Sequence, residues 1–219
     1  MERIDTDPAE AAGIFITLEG PDGAGKSTQQ ALLADRVRAI GRELVATREP
    51  GGTVLGERVR AILLERAADH DALIDALLFN AARRALVRDV IQPALDRGAV
   101  VVCDRFADST LAYQGFGAGA PLDVLSRIAE IATDGTRPSR TVLLDIRVED
   151  GLNRRRGGPA DEMTRFETDS AFDAAFHERV RGGFRMLAEA DADRWRVVDA
   201  SQSADEVAAA VWEAVADLF

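Results

Sequence analysis

The segment from Ile14 to Ser27 reads Ile-Phe-Ile-Thr-Leu-Glu-Gly-Pro-Asp-Gly-Ala-Gly-Lys-Ser. Its first residues are apolar or β-branched and are followed by a glycine-rich segment, which predicts a buried strand that ends in a tight loop. From Lys26 to about Ile40 the apolar residues recur at helical spacing, and Gly41 is a typical helix stop. The first structural prediction is therefore the order strand, glycine-rich loop, helix.

Strands and helices alternate along the rest of the chain. Apolar runs predict strands at 44–47, 99–103, 141–146 and 196–198, and apolar spacing predicts helices at 53–66, 71–96, 122–133, 172–189 and 204–218. We expect a bend near Pro93 and an exposed loop over the charged segment 154–165. The strands are continuous apolar runs, which is typical of a parallel sheet covered by helices on both faces. The predicted fold class is α/β.

Composition excludes several classes of protein. The chain has 219 residues, one cysteine, two histidines and a net charge of −11, so a disulfide scaffold and a Cys/His zinc cluster are excluded. A partner of nucleic-acid polymers is usually basic, so that class is disfavoured. No run approaches the roughly 20 apolar residues of a membrane helix. We expect a frayed leader at 1–12, a single domain over 13–219, no membrane association and a cytoplasmic location.

Residues 20–27 match the pattern G-x-x-x-x-G-K-[ST] without a mismatch. In this pattern the glycines let backbone N–H groups converge on an anion, and the following helix adds its positive end. Lys26, the only lysine of the chain, supplies a charge for the β- and γ-phosphates, and Ser27 a hydroxyl for Mg²⁺. An ordinary strand-to-helix turn is the alternative. The candidate ATP-binding residues are Gly20, Pro21, Asp22, Gly23, Ala24, Gly25, Lys26, Ser27 and Thr28.

Two aspartates end apolar strands. Asp104 follows the Val-rich strand, where a carboxylate would lie close to a metal ion held by Ser27, and a solvated strand end is the alternative. For Asp145 we favour a structural role. A guanine-specific Asn-Lys-x-Asp signature is impossible because no second lysine exists, which argues against a standard GTPase and favours a small-molecule kinase.

Four segments together resemble the bacterial thymidylate (dTMP) kinase family. They are residues 15–28, Thr-Arg-Glu-Pro-Gly-Gly-Thr at 47–53, Leu-Phe-Asn-Ala-Ala-Arg at 78–83, and Cys-Asp-Arg-Phe-Ala-Asp-Ser-Thr-Leu-Ala-Tyr-Gln-Gly at 103–115. The resemblance extends from about Ile14 to the C-terminal helix. It implies transfer of the ATP γ-phosphoryl group to dTMP with Mg²⁺, giving dTDP and ADP. It also implies a P-loop kinase three-layer sandwich with a five-stranded parallel core, a mobile lid at about 150–168 and a homodimer.

The resemblance also assigns dTMP-binding residues. Phe79 resembles the ring that stacks on thymine, and Arg83, one helical turn later, the arginine that donates to thymine O4. Such a donor rejects cytosine, whose amino group would stay unpaired. Tyr113 matches the position that crowds the sugar 2′ carbon. From the residues alone, Phe79 would be a core residue and Arg83 a solvated charge, and for Tyr113 packing and binding are equally open.

The remaining acceptor residues are implied in the same way. Asp22 would reach the sugar 3′-hydroxyl or the metal shell. Glu49 and Pro50 would line the acceptor site, and the family often has a cis peptide bond between these two positions. The candidates are Arg48, Arg60 and Arg105 at the acceptor phosphate, Glu49 and Pro50 at the wall of the site, and Thr110 and Gln114 near the base edge.

The catalytic residues are predicted to be cations, because phosphoryl transfer needs positioning and charge neutralisation more than covalent chemistry. Eukaryotic-type relatives carry an arginine inside the phosphate loop, where this chain has Gly23. In this chain that positive charge at the γ-phosphoryl group must therefore come from a residue at another position. The candidates are Lys26 and Arg105, together with Arg154, Arg156 and Arg165 in the predicted lid; the sequence leaves open which of these three meets the γ-phosphoryl group.

The other chemistry-bearing side chains receive structural interpretations. The acceptor is a phosphate oxygen that is already ionised, so no general base is required and none is assigned to His70 or His177. Cys103 is predicted to be a small apolar core residue. Two other functions stay open: a kinase of the same scaffold that acts on dUMP or thymidine, and a P-loop regulatory ATPase that binds a protein partner.

Overall fold

The computed structural model describes residues 12–65, 71–156 and 173–219. The leader predicted at 1–12 lies outside these residues except for Ala12, and so does the lid beyond Arg156. The assignment of 13–219 to one domain with a lid at about 150–168 therefore stays a prediction.

The described residues form one sheet of five parallel strands, in the order β2-β3-β1-β4-β5. The strands are β1 (Ile14–Glu19), β2 (Leu44–Arg48), β3 (Val100–Asp104), β4 (Arg140–Asp145) and β5 (Trp195–Asp199). This confirms the α/β class, and each predicted strand agrees with the structure to within one or two residues.

Helices connect the strands. They are α1 (Lys26–Ala39), α2 (Val54–Leu64), α3 (Ala72–Leu86), α4 (Gln92–Asp96), α5 (Ala107–Thr110), α6 (Leu122–Thr133), α7 (Val148–Arg156), α8 (Ala174–Ala190) and α9 (Ala204–Val215). The helix predicted over 71–96 is divided by a π-helical turn at Val87–Ile91, just before Pro93. A proline ring clashes with the carbonyl four residues earlier, and the wider turn relieves that clash.

Two predictions for segments next to the site were incomplete or wrong. The segment 154–165 was expected to be an exposed loop, but Arg154 and Arg156 belong to α7, whose first turn carries Glu149 and Asp150 as favourable N-terminal charges. A helical segment after β3 was not predicted: α5 continues into a π-helical stretch at Leu111–Gly117. The glycines of this segment do not end the helical structure; they allow close packing. A Cβ at Gly117 would lie 2.7 Å from side-chain atoms of α8.

The core has two sides because successive residues of a strand point to opposite faces of the sheet. On one face, Ile14, Ile16 and Leu18 of β1 join buried residues of α1 and α9. On the other, Phe15 packs edge-on against Phe106, with ring centroids 4.9 Å apart. Helices therefore cover both faces, which confirms the three-layer arrangement.

The parallel strands bring their carboxyl ends to one edge of the sheet. The last residues of the strands are Glu19, Arg48, Asp104, Asp145 and Asp199. Ligands of open α/β sheets bind at this edge, so the fold itself places the candidate site there. Among the described residues, no helix is long and apolar enough to cross a membrane.

Candidate active site

The phosphate-binding loop connects the end of β1 with the start of α1. Gly25, the N-cap of α1, has φ of +86°, a conformation that glycine adopts without the penalty of a Cβ. Its carbonyl accepts the N–H of Gln29 at 3.0 Å, which starts the helix directly after the loop. The first amides of α1 have no partner inside the helix, and they form an anion-binding end beside the loop.

Lys26 lies across this loop and is 7% exposed. Its Nζ donates to the carbonyl oxygens of Gly20 at 3.0 Å and Pro21 at 2.8 Å. Burial lowers the pKa of Lys26 to about 8, helped by the charge of Arg105 and opposed by three nearby carboxylates. The ammonium group is thus held at the loop and remains mostly protonated at neutral pH.

The Ser27 hydroxyl and the Asp104 carboxylate meet next to the loop. Ser27 Oγ donates to Asp104 Oδ2 at 2.8 Å, although the two residues are 77 positions apart in the chain. The start of α1 and the end of β3 therefore bring together two oxygen atoms of the kind that bind Mg²⁺, as the sequence predicted.

Arg105 connects the loop with the helical segment after β3. Its two terminal nitrogens donate to Gly20 O at 3.1 Å, to Ser109 Oγ at 3.2 Å, to Asp22 Oδ1 at 2.6 Å and to the Tyr113 hydroxyl at 2.9 Å. The backbone of Arg105 has φ of +68°, a left-handed conformation that is rare outside glycine and is often retained at functional sites. The guanidinium group is therefore fixed from four directions.

Asp22 is the anionic partner in this network. Besides the ion pair with Arg105, it accepts the hydroxyl of Tyr113 at 3.0 Å. Burial opposes the ionisation of Asp22, but the charges of Arg105 and Lys26 outweigh it and lower the pKa of the carboxyl to about 2. Asp22 is ionised throughout the physiological range.

Glu19 is a functional-site neighbour that the sequence reasoning missed. Its carboxylate is fully buried at the end of β1 and accepts the Phe106 N–H at 2.8 Å and the Ser109 hydroxyl at 2.6 Å. Burial, followed by the charge of Asp108, raises the pKa of Glu19 to about 7. An acidic residue at the end of an otherwise apolar strand was the available signal.

Two cavities open at this edge of the sheet. The donor cavity is lined by residues of the phosphate-binding loop and α1 from Asp22 to Gln29, together with Asp104, Ala200 and Gln202. The acceptor cavity is lined among others by Pro50, Phe79, Arg83, Thr110, Tyr113 and Gln114. Five residues line both cavities, and all of them are charged in their ordinary state: Asp22, Glu49, Arg60, Arg105 and Arg155.

The structure brings most of the predicted residues to these cavities. All of the predicted dTMP-binding residues except Arg48 line the acceptor cavity, and Arg48 lies in the donor cavity, where it pairs with Glu57 at 3.1 Å. Gly20 and Pro21 contribute carbonyl groups to Lys26 and do not line the donor cavity. The sequence reasoning missed Leu64, Phe106, Ser109 and Arg155 in the acceptor cavity and Gln29, Ala204 and Val207 in the donor cavity.

Arg83 is buried in the wall of the acceptor cavity and is 1% exposed. Its Nε donates to Glu49 at 2.8 Å, and its terminal nitrogens donate to Asn80 Oδ1 at 2.7 Å, Phe106 O at 3.1 Å and Thr110 Oγ1 at 3.2 Å. Burial raises the pKa of Glu49 against the charge of Arg83. Each nitrogen of the Arg83 guanidinium group therefore has a hydrogen-bond partner within the protein. The resemblance implies a further role, the donation of a hydrogen bond to thymine.

The segment after β2 lines the acceptor cavity beside Arg83. The peptide bond between Glu49 and Pro50 is cis, as the resemblance implies. The Pro50 carbonyl accepts the Arg60 Nη1 at 3.1 Å, so that α2 is connected to this segment.

The predicted lid arginines have different outcomes. Arg154 donates to the carbonyl oxygens of Ala200 at 3.0 Å and Ser201 at 3.4 Å, in the loop between β5 and α9. Arg155, which was not singled out, lines both cavities. Arg165 lies outside the described residues, and for Arg156 only the helical backbone is described.

The remaining candidates have structural partners or surroundings. Asp145 forms a two-point ion pair with Arg181 of α8 at 2.7 and 2.9 Å, in agreement with the structural interpretation. Cys103 is buried and free, as predicted. His177 is buried on α8, with no hydrogen-bond partner for Nε2 in the part of the chain that is described. His70 lies outside that part.

A phosphate-binding loop that faces a second, arginine-lined cavity defines a kinase of small phosphorylated acceptors. The chain matches the family model described as thymidylate kinase over residues 18–211. It is 50% identical to the thymidylate kinase of Deinococcus radiodurans over 207 residues, which cover 94% of this chain and 97% of that protein. It is also 50% identical to the thymidylate kinase of Thermomicrobium roseum over 205 residues, which cover 94% of this chain and 95% of that protein.

Among solved structures, the thymidylate kinase from Ehrlichia chaffeensis is similar with a TM-score of 0.76. The two chains are 33% identical, and the match covers 92% of this chain and 98% of the other. The chain therefore belongs to the thymidylate kinase family, whose members are nucleoside-monophosphate kinases.

Proposed function

We propose that this protein transfers the γ-phosphoryl group of ATP to dTMP and releases dTDP and ADP. The observation that carries the proposal is the meeting of the donor and acceptor cavities along five charged residues, in a chain of the thymidylate kinase family. Phosphoryl transfer requires two aligned phosphates and cations around the group that moves. The shared boundary of the two cavities supports this geometry.

The donor cavity suits ATP with Mg²⁺. Loop amides and Lys26 would bind the phosphates, and Ser27 and Asp104 offer hydroxyl and carboxylate oxygens, the ligands that Mg²⁺ prefers. Asp22 remains the third candidate ligand. Within the described residues no cluster of three or more metal-binding side chains exists, and Mg²⁺ commonly completes its shell with phosphate and water. When bound, the ion neutralises charge on the phosphates.

The acceptor cavity suits a thymine base. The half-buried Phe79 would stack on the ring, and Arg83 would donate to O4 in exchange for Thr110 Oγ1, the most distant of its present partners. Gln114 lies at the same wall, and Tyr113 would crowd a 2′-hydroxyl and so favour deoxyribose. The carboxylate of Glu49 holds Arg83 in place for this task.

The charges at the shared boundary would serve the transfer itself. Arg60 and Arg105 would hold the acceptor phosphate, whose ionised oxygen attacks without a general base. Lys26 would hold the donor phosphates. Arg154, Arg156 and Arg165 stay the predicted lid cations for the γ-phosphoryl group, and α7 brings the first of them to the donor cavity.

The test is an acceptor panel with ADP release as the readout. We expect turnover of dTMP well above that of dUMP, dCMP and thymidine. Turnover of thymidine with none of dTMP would assign the chain to another reaction on the same scaffold. ATP hydrolysis that does not respond to any acceptor would support a regulatory ATPase.

We further propose that two copies of the chain form a homodimer through α2 and α3, which pack against each other. Large apolar side chains are exposed on these helices: Leu55 is 50% and Ile62 47% exposed on α2, and Leu73, Ile74 and Leu77 are 41%, 44% and 53% exposed on α3. Several large exposed apolar side chains on two helices that pack together are typical of an interaction site. A twofold interface brings the same surface of both copies together, so a second copy of the chain can cover these side chains.

Light scattering on a size-exclusion column tests the dimer. Leu77→Asp should convert it to a monomer, because a charge in an apolar interface is left without water or a partner. Met186→Asp is the control, since Met186 is 58% exposed on α8, a different helix. A monomeric wild type, or equal effects of both changes, would contradict the proposal. The cytoplasmic location stays a prediction from the sequence.

A further inference from the structure

α7 and the phosphate-binding loop contact each other backbone against backbone. Gly151 of α7 lies on the Asp22 carbonyl, and a Cβ added at Gly151 would overlap that oxygen. From the other side, a Cβ at Gly23 would overlap the Gly151 carbonyl and lie 2.6 Å from its carbon. Neither glycine can carry a side chain unless the two elements move apart, because no flexible group separates them.

This contact also explains the residue at position 23. Gly23 has φ of +76°, so a larger residue there would be strained in addition to overlapping α7. An arginine in the loop is therefore incompatible with α7 in this position. The packing of α7 excludes the loop cation and at the same time brings other arginines to the site.

The face of α7 that touches the loop also carries those arginines. Residues three and four positions after Gly151 lie on the same side of a helix, and these are Arg154 and Arg155. Arg154 binds the Ala200 carbonyl at 3.0 Å on the far side of the donor cavity, and Arg155 lines both cavities. A displacement of α7 at Gly151 therefore moves both guanidinium groups relative to the phosphates.

We propose that Gly151 is a positioning residue for phosphoryl transfer, which seats α7 on the phosphate-binding loop so that Arg155 lies at the boundary between donor and acceptor. The inference rests on the proposed kinase activity. A glycine inside a helix lowers helix stability by about 1 kcal/mol relative to alanine, so its presence needs a reason other than helix formation. The close contact with Asp22 is that reason.

The effect of a methyl group at this position follows from the contact. To restore an ordinary van der Waals distance, α7 and the loop must separate by roughly 1 Å, and a misplacement of that size can lower a rate by about 100-fold. The methyl group does not reach the thymine-binding wall, and alanine raises intrinsic helix propensity. We therefore expect Gly151→Ala to lower kcat about 100-fold, with KM for dTMP changed by less than about threefold and thermal stability retained.

Gly182→Ala is the matched control. Gly182 is a helical glycine of α8, and a Cβ there has no neighbour within 4 Å, so the same change should leave kcat unchanged. Wild type, Gly151→Ala and Gly182→Ala are compared in dTMP turnover and thermal unfolding. Wild-type turnover of dTMP is measured first, so that failure of the kinase assignment is separate from failure of this inference.

A double-mutant cycle with Arg155→Ala tests the route of the effect. If Gly151 acts by placing Arg155, the loss of kcat caused by Gly151→Ala should shrink to a few-fold in the Arg155→Ala background. Full additivity of the two changes would overturn the proposal. An unchanged kcat in Gly151→Ala would also overturn it, and so would a variant that is unfolded, since the contact would then be needed for the fold itself.

Discussion

Glu19 allows a test of the site's electrostatics by stability alone. The carboxyl is fully buried at the end of β1, and burial raises its pKa from 4.5 to about 7. Between these two values the folded protein keeps a proton that the unfolded chain releases, so stability falls as the pH rises. The contribution is fully present below pH 4.5 and is lost by about pH 7. Each pKa unit corresponds to 1.36 kcal/mol, so the loss amounts to about 3 kcal/mol.

The change to test is Glu19→Gln. The amide oxygen can still accept the Phe106 N–H, and the amide nitrogen can donate to Ser109 Oγ, which now donates to Glu19. The hydroxyl hydrogen of Ser109 loses its acceptor, at a cost of about 1 kcal/mol. Near pH 8 we therefore expect the variant to be more stable than wild type by about 2 kcal/mol, and near pH 5 to be equal or slightly less stable.

Urea unfolding of both proteins at several pH values between 5 and 8 measures this difference. Subtracting the two curves removes the contribution of groups that titrate alike in both proteins. Glu130→Gln on the exposed side of α6 is the control and should leave the pH dependence unchanged. A difference in stability between wild type and Glu19→Gln that stays constant from pH 5 to 8 would contradict this prediction, because no titration of Glu19 would then be coupled to folding.

Three further results are expected. Lys26→Ala should lower dTMP turnover by at least about 100-fold, because the ammonium group that would bind the phosphates is lost. Its thermal unfolding should stay close to that of wild type, because this group contacts loop carbonyls and is not part of the apolar core. The kcat/KM for ATP should fall as the pH rises above about 8, where Lys26 loses its proton in the free enzyme; a profile that is flat to pH 9.5 would contradict this. Arg83→Met should destabilise by about 3–5 kcal/mol because Glu49 stays buried without its ion-pair partner, and adding Glu49→Gln should restore stability in urea without restoring dTMP binding.

The parts of the site that the sequence predicts are those whose chemistry lies in consecutive residues. The phosphate-binding loop needs glycines, a lysine and a hydroxyl within eight positions, and nothing distant changes that requirement. The strand ends were predictable as well, because continuous apolar runs define buried parallel strands and their carboxyl ends share one edge. Asp104 could therefore be placed beside Ser27 before any contact was known.

The residues that were missed depend on contacts across the chain. Glu19 meets Phe106 and Ser109, which lie 87 and 90 positions later, so its role has no local pattern. Arg155 had no signal of its own in the run 154–156, because that segment was interpreted as a loop. In α7, Arg155 lies one turn after Gly151 and lines both cavities, and only the helix defines this position.

Arg105, which we propose to hold the acceptor phosphate, directly follows Asp104 at the end of β3, and Asp104 lines the donor cavity. This links the two halves of the proposed reaction. Arg105 adopts a left-handed backbone that costs about 1–3 kcal/mol, so the surrounding contacts must hold it there. Its guanidinium group contacts Asp22 of the phosphate-binding loop, and the residues that follow it are held by Glu19 of β1. A shift of the phosphate-binding loop would therefore move the arginine that we propose for the acceptor phosphate. Together with the proposed role of Gly151, these contacts would hold the cations in place before either nucleotide binds, which would lower the reorganisation needed in the transition state.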